Sequence, residues 1–209
     1  ITLPDANVTL ASGTMNDATN LSGNIPVSNL NSGTSASSST FWRGDGTWVA
    51  PDAGGITETD TWRLTTTFAG DASPISSNLE RDDTYGNGLL GSGMTESSGV
   101  FTFPSTGYWL VTAYQNITRG DAYVAYISLN IQVTTDNSNY NDAAYAYSGS
   151  TGVIEHQSAS IPKLIDVTST TLVKVRFGVS DSESGNTTDT RGSTNENRTC
   201  FVFTRLADT

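Results

Sequence analysis

The amino-acid sequence predicts an all-β protein whose larger part is an antiparallel sandwich. Three observations lead there. Only 15% of the 209 residues are charged, and small polar residues with scattered aromatics suit strands and turns better than helices. Several segments alternate apolar and polar side chains with period two between Gly, Asn, Asp and Ser turns. No stretch carries the Ala, Leu, Glu and Lys enrichment of a long helix.

Two grammars follow each other along the chain. Residues 1–55 hold few large apolar side chains, too few to offset the ordering entropy of a free fold. Anchors recur nonetheless at Leu10, Leu21, Ile25, Val27 and Leu30, then at Phe41, Trp42 and Trp48. A linker has no use for two tryptophans so close together. This stretch is therefore expected to order by wrapping around identical copies. Pro51, Gly54 and Gly55 mark a break, and a strand-forming domain is expected over 61–209.

Within that domain each strand has its own pattern. Trp62, Leu64, Thr66 and Phe68 alternate with Arg63, Thr65 and Thr67. A turn-rich stretch with Gly86, Gly88, Gly91 and Gly93 comes next, then a short apolar run over 100–103 that ends at Pro104. Segment 108–114 is apolar on both faces, with Tyr108, Leu110 and Tyr114 on one and Trp109, Val111 and Ala113 on the other. Tyr123, Ala125, Ile127, Leu129, Ile131 and Val133 keep strict period two, Ala159, Ile161 and Ile165 form a weaker strand, and Val173, Val175, Phe177 and Val179 alternate cleanly. The last strand places Phe201 and Phe203 opposite Cys200, Val202 and Leu206. A strand apolar on both faces needs two burial partners. One is the facing sheet, and in a domain of this size the second is most simply another subunit.

Charge and motifs narrow the function classes. The net charge of −11 repels a phosphate backbone and anionic membranes, so neither nucleic acid nor membrane is an expected partner. Cys200 is the one cysteine, so an intrachain disulfide is impossible. His156 is the one histidine, which leaves a histidine relay or a two-histidine zinc site without parts. The run from Gly86 to Gly91 matches Gly-x-Gly-x-x-Gly but lacks the following helix a dinucleotide site requires, and reads as a loop. Arg43, Gly44 and Asp45 read as a tight turn between Trp42 and Trp48, with Asp45 bonding nearby amides. No catalytic constellation is legible, and the chain is expected not to be an enzyme. The loop acids Asp181, Glu183 and Asp189, and the pair Asp82 and Asp83, carry the oxygens that calcium prefers and the carboxylates that glycoside cleavage uses. The plainer reading is solvated loop carboxylates, with no cofactor.

Two resemblances sharpen this. The run Gly99-Val-Phe-Thr-Phe-Pro-Ser-Thr-Gly-Tyr-Trp-Leu-Val111 resembles the signature of the globular heads of complement first-component subunits, within the tumour necrosis factor-like jelly rolls. Trp109 stands where that family has Tyr, and Val111 where it has Phe. The last strand resembles the family's strand beside a three-fold axis. The run Thr40-Phe-Trp-Arg-Gly-Asp-Gly-Thr-Trp48 is similar to a segment of phage tail-fibre proteins that precedes a receptor-binding head. Together they imply a bacteriophage virion protein on a tail or head fibre: a homotrimer with an extended, intertwined collar or shaft over 1–55 and a jelly-roll head over 61–209. Trp42 and Trp48 in the collar, and Tyr108, Trp109, Leu110, Phe201 and Phe203 in the head, are assigned to the core or trimer interface. Recognition of a host-surface glycan is expected from loops 82–93, 136–152 and 181–193, with Tyr140, Tyr145 and Tyr147 stacking on sugars and Asp181 and Glu183 nearby. The rival readings are a head-decorating fibre docked to other virion proteins through its amino-terminal segment, and a glycan-degrading spike.

Overall fold

The computed structural model describes residues 27–51, 54–86, 88–119, 124–150, 156–182 and 188–209. The chain divides into two compact units, Ile1–Gly54 and Gly55–Thr209.

In the first unit, the described residues form two short 3-10 turns, Val27–Asn29 and Asn31–Gly33, and a small hairpin of β1 (Phe41–Trp42) and β2 (Trp48–Val49). Trp42 lies opposite Trp48 in the hairpin register. Their rings meet edge-to-face at 5.6 Å, an arrangement favoured by the ring quadrupoles. The Arg43–Asp45 segment is the turn of this hairpin, as expected: the Arg43 amide donates to the Thr47 carbonyl at 2.8 Å. Asp45 accepts from the Thr47 amide and hydroxyl and pairs with Arg43.

In the second unit the strands are β3 (Thr59–Leu64), β4 (Phe68–Ala69), β5 (Leu79–Arg81), β6 (Leu89–Leu90), β7 (Thr95–Ser97), β8 (Val100–Thr102), β9 (Gly107–Arg119), β10 (Val124–Thr134), β11 (Asn141–Ser150), β12 (His156–Val167), β13 (Lys174–Asp181), β14 (Thr188–Thr190) and β15 (Cys200–Ala207). They make two antiparallel sheets. The first runs β4-β14-β9-β15-β3-β5, with β12 paired to β9 and β6 to β3; the second runs β11-β10-β13-β8-β7. Trp109, Val111, Ala113, Phe201 and Phe203 of the first sheet face Phe101, Leu129, Ile131, Val175 and Phe177 of the second, all buried. Phe177 stacks on Phe201 with centroids 3.8 Å apart, so the aromatic centre of the core ties the two sheets together. The two sequence-level faces of segment 108–114 are thus real: the Trp109 face fills the sandwich and the Tyr108 face points outward.

Two places depart from the sequence reading. Arg63 is expected on a polar face of β3, yet only 1% of its side chain is exposed, and it pairs with Glu80, Asp82 and Asp83. On the same strand, buried Asp60 accepts from Arg81, the Trp62 indole and the Met94 amide. The segment after β5 folds over β3, and these charges survive burial because each finds opposite charge and hydrogen bonds. The strand expected around Ala159 is also longer than its apolar content suggests. It pairs with β9 from His156 to Val167. Its Pro162 fits because β12 has β9 as its one strand partner among the described residues, so the missing amide interrupts no second ladder.

Candidate functional site

The outward face of β10 and β11 carries an organised aromatic surface. Ala144, Tyr145, Ala146 and Tyr147 alternate along β11, which sends both tyrosines to one face and the alanines to the other. Tyr145 and Tyr147 are 42% and 60% exposed and lie nearly parallel, at 9° and 5.8 Å between centroids. Tyr126 of β10, 47% exposed, closes the row edge-on to Tyr147 at 5.5 Å. Tyr145 lies across from Asn130 and Tyr147 across from Ser128, so the cross-strand neighbours of both rings are small polar residues.

One carboxylate organises the row's end. A bulge between Ile131 and Gln132 brings Asp142 opposite Gln132. Asp142 accepts from the side-chain amides of Asn130 and Gln132, each at 2.8 Å, and from the Tyr145 hydroxyl. Gln132 in turn accepts from Arg176 Nε at 2.6 Å, and the Arg176 guanidinium lies 4.1 Å over the Tyr140 ring. The Tyr145 and Gln132 hydrogen bonds hold the Asp142 carboxyl below its ordinary pKa, against the smaller opposing effect of burial. Donating into Asp142 pushes the Tyr145 hydroxyl up. A carboxylate flanked by amides, beside exposed parallel rings, presents hydrogen-bonding groups and apolar faces together. Sugar rings offer the same two chemistries in complement.

The sequence-level candidates scatter. Tyr145 and Tyr147 converge on this surface, but on a strand and not on a loop: segment 141–150 is β11, an alternation masked in the sequence by its short alanines and flanking polar residues. Tyr140 precedes β11 and supports Arg176. Asp181 ends β13 in the second sheet, where its amide bonds to Asp71, whereas Asp189 lies on β14 in the first. Glu183 lies outside the described residues. Asp82 and Asp83 pair with Arg63. Among the described residues no three metal-ligating side chains are grouped to hold an ion. Trp109, Phe201 and Phe203 are core, and Tyr108 and Leu110 lie on the outward face of β9. Tyr126, Asn130, Gln132, Asp142 and Arg176 were not legible as site residues. Tyr126 alone had a signal, being an aromatic on the polar phase of an otherwise clean alternation.

The outward face of the first sheet is apolar at the end near the carboxy terminus. Leu110 pairs with Leu164 across β9 and β12. Leu164 is 52% exposed, and Tyr108 and Leu206 are exposed with it.

The sequence matches no family model and no curated protein. Similarity to solved structures is in the fold. A structure of the tumour necrosis factor Eiger from S. frugiperda aligns over 74% of this chain and 95% of its own, at 13% identity and a TM-score of 0.53. Murine APRIL aligns over 71% of this chain and 98% of its own, at 7% identity and a TM-score of 0.50. The chain therefore contains a tumour necrosis factor-like jelly roll, as the signature over 99–111 implies.

Proposed function

We propose that this chain is a trimeric adhesin of a bacteriophage virion, in which the jelly-roll head binds a host-surface glycan without cleaving it and residues 1–55 form an intertwined collar. The observation that carries the glycan reading is the row of Tyr126, Tyr147 and Tyr145 ending at Asp142. The rings are ordered before any ligand arrives, so little side-chain entropy is lost on binding. The similarity of segment 40–48 to phage fibres supports the virion location. The apolar outward face around Leu110 and Leu164 supports association of like chains. Three weak sites per trimer, repeated over several fibres, give firm attachment without a deep pocket.

The test is direct. Purified native protein should adsorb to susceptible cells, compete with the phage and release no reducing ends from host polysaccharide. Replacing Tyr145 and Tyr147 together with Ala should weaken monovalent saccharide binding by roughly tenfold or more, an effect of at least about 1.4 kcal/mol, while leaving the fold intact because both side chains point away from the core. Unchanged binding in that variant would remove the platform from the account. Failure of the wild-type protein to adsorb would favour the head-decorating fibre, and release of sugar fragments would favour the spike.

A further inference from the structure

We infer that a cavity on the outward face of the first sheet, on the opposite side of the sandwich from the tyrosine row, binds a small carboxylate-bearing sugar. The cavity has a volume of about 830 Å³, within the roughly 300–1,000 Å³ typical of small-molecule sites. It lies at the β14 end of the sheet, away from Leu110 and Leu164. Its walls include Tyr114 and Asn116 of β9, His156 and Ser158 of β12, and Arg191 and Arg198 of the chain around β14 and β15.

Its charge runs against that of the molecule. The chain has 21 Asp and Glu against 10 Lys and Arg, yet two arginines and no carboxylate line this cavity. Arg198 is neutralised by Glu196 at 3.0 Å. Arg191 is held differently. Its Nη1 donates to the Thr118 hydroxyl at 2.7 Å and to His156 Nδ1 at 3.3 Å, and no carboxylate pairs with it among the described residues. The Thr118 hydroxyl and the His156 ring thus fix a guanidinium and bring no carboxylate to neutralise it. A guanidinium fixed by one edge leaves further N–H groups in a plane suited to a carboxylate. Around it, Asn116 and Asn197 donate their side-chain N–H groups to Ser158 and Asp82, which leaves their amide oxygens, with the Ser158 and Ser160 hydroxyls, to accept from sugar hydroxyls, and exposed Tyr114 offers an apolar face. A uronate, with one carboxylate and several hydroxyls on a compact ring, satisfies this set. A neutral sugar leaves Arg191 without its anion.

The inference does not depend on the tyrosine row, and its test separates the two. Calorimetry or NMR titration of the native full-length protein with glucuronate and with glucose uses ligands alike except for the carboxylate. Glucuronate should bind at least tenfold more tightly than glucose. Arg191→Ala should remove that preference, Arg191→Lys should retain part of it, and the Tyr145 and Tyr147 double variant should leave it unchanged. Equal binding of the two sugars, or binding of neither, overturns the inference. So does loss of glucuronate binding in the tyrosine variant, or a change in native mass on Arg191→Lys, which would make the cavity a subunit contact.

Discussion

Trp109 shows how one side chain serves two masters in this fold. It is 1% exposed, lies 5.3 Å from the Phe103 ring and donates its indole N–H to the Ser105 carbonyl at 3.2 Å, so both its apolar body and its polar edge are satisfied. Trp109→Ala should cost about 3–5 kcal/mol in denaturant unfolding, and Trp109→Phe distinctly less. Native-like melting of the Ala variant would contradict the buried position. Asp142 has a different signature, in pH. Because hydrogen bonds from Tyr145 and Gln132 depress its pKa, the network it organises is complete above the ordinary aspartate value near about 3.9 and is lost as pH falls through the lower, folded value. Tyr145 is shifted upward, so its hydroxyl remains a donor beyond its ordinary value of about 10. Saccharide binding at the tyrosine row should therefore be flat from about pH 5 to about pH 9 and fall only under stronger acid, measured as affinity against pH. Affinity that survives full protonation of Asp142 would take that carboxylate out of the site.

At the scale of elements, the glycines flanking β8 explain why the 99–111 run is a signature. Gly99 has φ +83°, and a Cβ there would lie 2.4 Å from the Ile75 carbonyl oxygen; Gly107 has φ +135°, with the Ala207 oxygen 2.5 Å from the same position. Both contacts are with backbone, so no side-chain rearrangement relieves them. Gly107→Ala should destabilise by at least about 1–3 kcal/mol from backbone strain alone, read as a lowered Tm with loosened β9–β15 pairing in hydrogen exchange. A wild-type Tm would show that this backbone has room to relax. The strands themselves were legible wherever period two ran long, as in β9, β10 and β13, because half-buried pleats impose that alternation. The burial of Arg63 and Asp60 was not, since it depends on a later segment folding back over β3. Nor was the tyrosine row, because its members sit on two strands and meet only through the register that pairs Asn130 with Tyr145. Half of that site is written in β11, but the Asp142 end is created by a bulge that no local pattern announces.

For the whole molecule, the question is what covers the face of β9 and β12 that the sandwich leaves bare. Tyr108, Leu164 and Leu206 are exposed there together, while the alternate residues Trp109, Val111, Ile165 and Val167 are buried in the core. A second copy of the chain is the economical cover, since a closed ring of three shields the same face on every subunit. Native light scattering of the wild-type protein should then give three times 22.1 kDa. Replacing Leu110 and Leu164 with Glu sets like charges directly opposite each other on the outward face, and desolvating them in an interface is costly. The double variant should be monomeric, yet keep its near-ultraviolet circular dichroism, because the core residues point the other way. Its affinity for a monovalent saccharide should match the wild type, while adhesion to cells should fall by about 10²-fold or more as multivalency is lost. A wild-type protein that is monomeric at micromolar concentration would end the trimer reading. A variant that stays trimeric would move the contact to another face.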